Sequence, residues 1–403
     1  MPLKYGINIF KKQPTIKTKA FSFEVTAMSR IFTPMLKPGM KVERSVFGPR
    51  GEILVSKGSI LTPSFISKLK EYEIHFVYIN DGKQQGIYKK NKAPAVRAPK
   101  IKAKDMIAKE TRVAAVRQVK NILLETKESG KLVIDPQSIY RTVGQFTTEI
   151  MASRDLMFNL VDLRRQDDYT FAHSVNVCVL ALMTGITLGY SSQQLAILGV
   201  GALLHDLGKV KIPDEILNKP GRLTREEYSL IKMHTVYGSE LISASKNLNH
   251  LHALMAYQHH ESCDGTGYPE GIKAEEFHDF SQIISIVDKF DALTADRVYR
   301  KPFLPNEAYE MCAASGNYLF KEYIVKAFLK NIAAYPAGAV VELNNGYIGA
   351  VIDTPKGFST SPRVMLLYGP DRRPLPGYEE ISLVEKGDLF VTRTVAADEI
   401  PSP

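Results

Sequence analysis

The spacing of apolar residues changes twice along the chain. From about residue 35 to 80, short apolar runs alternate with Gly and Pro, which is typical of small strands and tight turns. From about 103 to 334, apolar residues recur three and four positions apart, as on the buried face of amphipathic helices. Beyond "AAYPAG" the period becomes two, which indicates strands. The pattern therefore predicts a mainly α protein, with a small α/β module before the helices and a β-rich region after them.

The boundaries between these parts follow from composition. The first residues show no clear periodicity, and "DGKQQGIYKKNKAPAVRAPKIKAKD" is polar and basic like a linker. We predict, in chain order, a flexible N-terminal arm (1–34), a small α/β N-terminal module (35–81), a basic linker (82–102), a helical domain (103–335) and a β-rich C-terminal region (336–403).

Several single elements can be predicted from local signals. "TPSFISKLKEYEI" predicts a helix with Thr62 as N-cap and Pro63 at its first position, followed by a strand at "HFVYI". "AVVELNNGYIGAVID" predicts a β-hairpin that turns at Asn345 and Gly346, and "RVMLLY" and "DLFVTRTV" predict further strands. "DPQSIYRTVGQFTTEIMASRDLMFNLVDLRR" predicts an amphipathic helix. "SVNVCVLALMTGITLG" and "QLAILGVGALLHDLGK" are apolar on nearly all sides, so we expect them at the centre of a helical bundle.

The bulk composition is that of an ordinary globular protein. The chain has 403 residues, of which 44% are hydrophobic and 24% charged, so two or three domains are expected. No run is long and apolar enough for a membrane span, and no signal peptide is evident. Three cysteines without CxxC spacing favour a reducing compartment, so we expect a cytoplasmic protein.

The charge adds one expectation about partners. A formal net charge of +9 suggests an anionic partner, which could be a nucleotide, a nucleic acid or a membrane surface. Neither a GxxxxGK[ST] phosphate loop nor a GxGxxG after a strand is present in the sequence. Charge alone does not choose among these partners.

Seven residues of metal-ligand type lie at the boundaries of apolar segments in the helical domain. They are His173, His205, Asp206, His234, His259, His260 and Asp288. A single buried histidine is more often structural, but seven such groups are costly to bury independently. Convergence on bound cations satisfies them together, and two divalent ions that share carboxylates need about this number of ligands. Imidazole and carboxylate without thiolate favour iron, manganese, nickel or zinc over calcium or magnesium.

Basic residues near these positions suggest a phosphate-containing substrate. Lys209 follows His205 by one helical turn and could neutralise a phosphate oxygen. Arg297 and Arg300, in "DRVYRKP", share a helix face and could clamp a second phosphate.

"HDLGK" together with "HHESCDGTGYP" resembles the HD-GYP family, a branch of the HD phosphohydrolases with the pattern HHExxDGxGYP. The resemblance covers roughly residues 145 to 334. It implies an all-α HD core and a centre of two or three metals that often holds iron or manganese. It also implies hydrolysis of the bacterial second messenger cyclic di-GMP to pGpG or GMP, whereas some members act on cyclic GMP-AMP.

The resemblance assigns roles to individual residues. The seven residues named above would be metal ligands, with His205, Asp206 and Lys209 as the catalytic residues. Glu261 would orient an imidazole. The residues that would bind substrate or shape the pocket mouth are Lys209, Asp264, Gly267, Tyr268, Pro269, Arg297 and Arg300.

Two positions depart from the family pattern. Members with three metals carry a glutamate four residues before the first histidine, where this chain has Tyr169. Two metals are therefore expected rather than three, with iron or manganese favoured over nickel or zinc. Val298 replaces a proline found in many members, with a minor effect expected.

The leading interpretation is a cyclic di-GMP phosphodiesterase that acts through a hydroxide bridging two metals. One alternative is a hydrolase of cyclic GMP-AMP or of linear dinucleotides. Another is a regulator that binds a cyclic dinucleotide without turnover, which the complete ligand set disfavours. Nucleic-acid binding through the basic linker rests on charge alone. The role of the N-terminal module, signalling partner proteins and a homodimer are left open.

Overall fold

The computed structural model describes residues 26–84, 101, 105–153, 155–158, 169–295, 302–396 and 399. Within these ranges no helix is both long enough and apolar enough to cross a lipid bilayer. The fold class predicted from the apolar pattern is confirmed, because a helical domain stands between a small N-terminal module and a C-terminal sheet.

The N-terminal module contains two small sheets and one helix. Its elements are β1 (Thr26–Phe32), β2 (Lys41–Val42), β3 (Val46–Phe47), β4 (Ile53–Val55), α1 (Pro63–Glu71) and β5 (Phe76–Gln84), with a 3₁₀ helix at Thr33–Met35. Strands β1, β5 and β2 form an antiparallel sheet in that order, and β3 pairs with β4. The boundary predicted at residue 35 is too late, because β1 pairs with β5 along most of its length and so belongs to this sheet.

Helix α1 begins as the sequence predicts. The Thr62 side chain accepts a hydrogen bond from the backbone N–H of Phe65 (3.2 Å), and Pro63 occupies the first turn. Ile66 and Leu69 are buried against the strands of the module.

The helical domain extends from α2 to α12. Its helices are α2 (Lys109–Ser129), α3 (Pro136–Ala152), α4 (Tyr169–Thr187), α5 (Ser192–Leu204), α6 (Asp214–Leu217), α7 (Arg225–Lys232), α8 (His234–Ser243), α9 (His250–Gln258), α10 (Asp279–Thr294), α11 (Pro305–Ala313) and α12 (Glu322–Leu329), with a 3₁₀ helix at Leu207–Lys211.

Helices α4 and α5 lie at the centre of this bundle, as their apolar sequences predict. Val175, Leu182 and Leu198 are fully buried, within the largest hydrophobic cluster. Helix α3 is shorter than predicted. It ends at Ala152, and the chain then turns so that the N–H of Phe158 donates to the carbonyl oxygen of Asn331 (2.9 Å), which ties it to the residues after α12.

The C-terminal region is a five-stranded antiparallel sheet. Its strands are β6 (Val340–Leu343), β7 (Ile348–Asp353), β8 (Arg363–Tyr368), β9 (Pro374–Ser382) and β10 (Val391–Thr394), in the order β10-β6-β7-β8-β9. The hairpin at Asn345 and Gly346 is confirmed, and Gly346 has the positive φ (85°) that the turn requires. Strand β9 was not predicted, and it contains Pro374 and Pro376. It lies at the edge of the sheet, where proline is tolerated.

The N-terminal module contacts the other two parts. Arg44 forms an ion pair with Glu310 on α11 (3.2 Å) and lies over the ring of Tyr78. Tyr78 in turn lies 6.2 Å, ring centre to ring centre, from Phe390 of the C-terminal region. The module is therefore seated against the helical domain.

Candidate metal centre

The seven predicted ligands come from five different helices or their ends. His173 lies in the second turn of α4, and Asp288 lies in α10. His205 and Asp206 follow the last residue of α5, His234 is the first residue of α8, and His259 and His260 follow α9. Helix ends place these side chains on one side of the bundle, where the apolar core stops.

The structure brings six of the seven side chains together in two groups, and Asp288 lies beside a histidine of each. One group contains His173, His205 and Asp206, and the other contains His234, His259 and His260. Within each group the potential ligand atoms lie within 4.8 Å of one another. This spacing is suitable for one cation in each group.

Asp206 belongs to the first group and also faces the second. Its Oδ2 atom is 3.5 Å from Nε2 of His205, and its Oδ1 atom is 3.5 Å from Nε2 of His234. The two oxygens of one carboxylate therefore face different groups, as expected of a carboxylate shared by two cations.

Asp288 spans the groups in a similar way. Its Oδ1 atom lies 3.1 Å from Nε2 of His173, and its Oδ2 atom lies 4.0 Å from Nδ1 of His260. The two aspartates thus connect the histidine groups at two positions.

The protein backbone fixes the orientation of three imidazoles. In each, the Nδ1–H donates to the carbonyl oxygen three residues earlier, namely His205 to Ala202 (2.7 Å), His234 to Ile231 (2.6 Å) and His259 to Ala256 (2.8 Å). This bond places the proton on Nδ1 and leaves the Nε2 lone pair directed into the site.

His173 is oriented by a carboxylate instead. Its Nδ1 atom lies 2.7 Å from Oδ2 of Asp291, which also accepts a hydrogen bond from Asn176 at its other oxygen (3.3 Å). The sequence interpretation missed Asp291. The signal was available, because Asp291 follows Asp288 by three residues and therefore lies on the same face of α10.

Burial and charge set the protonation states in this cluster. Burial lowers the pKa of His205, His234 and His259, and lowers that of His260 to about 3. These imidazoles are therefore neutral at pH 7, as metal ligands must be.

The two carboxylates are ionised. Burial alone would raise their pKa values, but neighbouring groups outweigh it. Lys209 lowers the pKa of Asp206, and the hydrogen bond from His173 lowers that of Asp288. Burial likewise lowers the pKa of His173, but its hydrogen bonds to Asp288 and Asp291 dominate and raise it to about 10. The carboxylates are thus in the form that binds cations.

Two contacts indicate that these residues fit metal ions. The Nε2 atoms of His234 and His259 face each other at 3.2 Å, although both rings carry their proton on Nδ1 and so present lone pairs. Among the described residues, the buried Nε2 of His205 and Oδ1 of Asp206 have no hydrogen-bond partner. Facing lone pairs and unpaired buried acceptors are unfavourable in a protein interior unless a cation lies between them.

Lys209 lies at the edge of the centre, where its ammonium group contacts Asp206 Oδ2. About a third of its side chain is exposed. It is therefore placed between the carboxylate and solvent, a position from which it can reach a bound anion.

The loop between α9 and α10 (residues 259–278) covers one side of the centre. Tyr268 stacks on the ring of His260, with 4.7 Å between ring centres and 27° between planes, and Lys232 lies over its ring. A side chain at Gly267 would collide with the backbone of Glu261 (2.3 Å), so only glycine fits. Pro269 follows Tyr268 through a cis peptide bond.

Glu261 has a different role from the one expected. Its carboxylate accepts hydrogen bonds from the backbone N–H groups of Glu270 (2.8 Å), Gly271 (3.1 Å) and Ile272 (3.2 Å). It therefore holds the loop closed on itself, and it does not orient an imidazole. The difference arises because the loop folds back beside its own start, which no local pattern reveals.

The remaining predicted site residues divide into two sets. Asp264 is described, and it binds Thr266 within the loop and Arg50 of the N-terminal module. Arg297, Arg300 and Val298 lie outside the described residues, so their predicted roles stay predictions. Tyr169 is the first residue of α4, and its side chain is not among those described.

Comparison with known families identifies two parts of the chain. The family model for the HD domain matches residues 155–320, which carry all seven predicted ligands. Residues 155–320 form an HD domain. This match confirms the resemblance predicted from "HDLGK" and "HHESCDGTGYP". The model for the KOW domain associated with the HD domain matches residues 340–402, which contain the C-terminal sheet.

Several curated relatives match part of this chain. A cyclic di-GMP phosphodiesterase of Pseudomonas aeruginosa is 32% identical over 235 residues, covering 58% of this chain and 56% of the relative. A cyclic di-GMP phosphodiesterase of Thermotoga maritima is 34% identical over 196 residues, covering 47% of this chain and 52% of the relative. A 3'3'-cGAMP-specific phosphodiesterase of Vibrio cholerae is 32% identical over 181 residues, covering 44% of this chain and 35% of the relative. The chain thus spans about half the length of the first two relatives.

Proposed function

We propose that the chain is a metal-dependent phosphodiesterase that hydrolyses cyclic di-GMP to pGpG or GMP. The observation that supports this proposal best is the division of seven ligands into two histidine groups connected by Asp206 and Asp288. Two-metal sites of this kind are typical of enzymes that cleave phosphate esters.

The centre would hold two divalent transition-metal ions, with iron or manganese favoured and nickel or zinc as alternatives. His173 and His205 would hold one ion, and His234, His259 and His260 the other, with both aspartates between them. When bound, such ions supply a Lewis acid that polarises a phosphate and activates water for in-line attack. The ligands are suitable because every imidazole except His173 is neutral and both carboxylates are ionised.

Other residues of the chain would bind and orient the substrate. Lys209 would neutralise an oxygen of the phosphate under attack, and its contact with Asp206 at the edge of the centre supports this role. Tyr268 and Pro269, supported by Gly267 and Asp264, would form one wall of the pocket mouth. Arg297 and Arg300 are proposed to bind the second phosphate or a guanine edge, because a cyclic dinucleotide has two phosphates and the metals can hold only the one being cleaved.

Relatives named as cyclic di-GMP phosphodiesterases favour this substrate over others. The relatives named as specific for 3'3'-cGAMP make cyclic GMP-AMP the second candidate. The cytoplasmic location, signalling partner proteins and a homodimer stay predictions from the sequence, as does the flexible arm before residue 26.

The decisive experiment joins metal analysis with product chromatography. The protein is purified without oxygen, its metals are quantified, and it is incubated with cyclic di-GMP, cyclic GMP-AMP or pGpG. We expect about two transition-metal ions per chain and release of pGpG or GMP from cyclic di-GMP. Preferential cleavage of cyclic GMP-AMP would establish the second candidate. Tight binding of cyclic di-GMP without product by the metal-loaded protein would contradict an enzyme and indicate a regulator.

A further inference from the structure

The turn between β3 and β4 (residues 48–52) projects from the N-terminal module. The N–H of Gly48 donates to the carbonyl oxygen of Glu52 (2.7 Å), and the N–H of Arg50 donates to the Glu52 side chain (2.9 Å). Gly51 has a positive φ of 79°. These bonds close the turn tightly and leave the Arg50 side chain at its tip.

The turn reaches the helix that carries a predicted metal ligand. Lys289 on α10 directly follows Asp288, and its ammonium group donates to the carbonyl oxygen of Pro49 (2.5 Å). A half-buried ammonium group needs such an acceptor, and a residue from another part of the chain supplies it here.

Arg50 makes a second contact, with the α9–α10 loop. Its guanidinium lies 2.5 Å from Oδ2 of Asp264 and 5.4 Å from the ring centre of Tyr318. The other oxygen of Asp264 accepts hydrogen bonds from the backbone N–H (3.0 Å) and the hydroxyl (2.7 Å) of Thr266. Asp264 therefore connects the module to the backbone that leads into Gly267 and Tyr268.

The rest of the loop connects Asp264 to the predicted metal centre. Tyr268 stacks on His260, and Glu261 holds the loop on its opposite side through three backbone N–H groups. Movement of Thr266 would therefore shift the ring that orients a predicted ligand.

We propose that Arg50 is a positioning residue for the metal centre, through which the N-terminal module holds the α9–α10 loop in place. The effect of Arg50 on turnover depends on the proposed phosphodiesterase function. Its effect on the position of the α9–α10 loop does not. An ordinary surface ion pair contributes little, and Arg50 is 49% exposed. This pair differs because Asp264 is only 14% exposed and the same turn is also fixed by Lys289.

The test is hydrogen exchange of the full chain, measured on peptides that cover residues 261–268. Arg50→Gln should accelerate exchange in this segment about fivefold, as expected for loss of one partly exposed ion pair. Arg50→Lys, which keeps the charge, should restore part of the protection. Arg363→Gln is the matched control, because it breaks an exposed Arg–Asp pair with Asp353 in the C-terminal sheet and should leave residues 261–268 unchanged.

A double-variant comparison makes the result specific to the pair. Asp264→Asn should accelerate exchange in this segment, and the double variant Arg50→Gln/Asp264→Asn should add little to Asp264→Asn alone. Wild-type exchange in Arg50→Gln, or full additivity in the double variant, would overturn the proposal. Because exchange is measured without substrate, it decides this point even where wild-type protein hydrolyses no cyclic dinucleotide. In an active protein, Arg50→Gln should lower kcat while Arg363→Gln does not.

Discussion

Oδ2 of Asp291 lies 2.7 Å from Nδ1 of His173, and both side chains are buried. A carboxylate behind a ligand histidine fixes the ring and makes its free nitrogen more basic. Asn176 holds the same carboxylate from the other side (3.3 Å). Asp291 therefore supports the proposed metal centre through its contact with the predicted ligand His173.

Asp291→Asn should weaken metal binding about ten- to a hundredfold, because the amide retains the shape but loses the charge behind His173. Competition with a coloured chelator measures this affinity. Asp279→Asn is the matched control, since Asp279 lies at the start of the same helix and pairs with Lys321. Equal metal affinity in Asp291→Asn and wild type would contradict the role assigned to Asp291.

Asp206→Ala should abolish hydrolysis and leave the fold helical. Its two oxygens face different histidine groups, so its loss removes the shared ligand of both proposed ions. Product chromatography, with circular dichroism for helix content, tests both halves of this prediction. Asp214→Ala, which removes an exposed aspartate paired with Lys127, should hydrolyse normally. Wild-type turnover by Asp206→Ala would refute the assignment.

That these seven side chains lie close together could be predicted from sequence, because each residue is chemically out of place. Histidines and aspartates at the ends of apolar helices are costly to bury alone, so convergence on common cations explains all of them together. Their division into two groups could not be predicted. It depends on which helix ends meet in space, and Asp206 and His234 face each other only after α5 and α8 have packed.

The contacts that support the site were missed for the same reason. Asp264 and Arg50 are 214 residues apart, and neither has a local signal that identifies its partner. Glu261 and Ile272 lie within one loop, but its fold-back is set by several turns together. Local signals worked where one residue decides the structure, as Thr62 does for the start of α1 and Gly346 does for the hairpin.

Arg297 and Arg300 are predicted to bind substrate and not metal. Replacing both by alanine should weaken binding of cyclic di-GMP about ten- to a hundredfold, the loss expected for a charge-assisted contact of roughly 1.5–3 kcal/mol. Metal content should remain that of wild type. Calorimetric titration, with elemental analysis in parallel, measures both. The matched control is Arg222→Ala/Arg225→Ala, an exposed pair of arginines with the same sequence spacing. Unchanged affinity in the first double variant would leave Arg297 and Arg300 without the proposed role.

His252 makes stability depend on pH at a position outside the metal centre. It is fully buried beside Tyr140, and burial lowers its pKa from 6.5 to about 4. His252 is therefore protonated below pH 6.5 in the unfolded chain, but only below about pH 4 in the folded protein. The free energy of unfolding should fall by up to about 3 kcal/mol as the pH decreases across this window, and this contribution is fully present above pH 6.5.

Urea unfolding at pH 5 and pH 7 measures this effect of His252. The free energy of unfolding should change less between the two pH values for His252→Leu than for wild type. His250→Leu, which changes an exposed histidine on the same helix, should keep the wild-type difference. If the pH difference of His252→Leu equals that of wild type, His252 is not the group responsible.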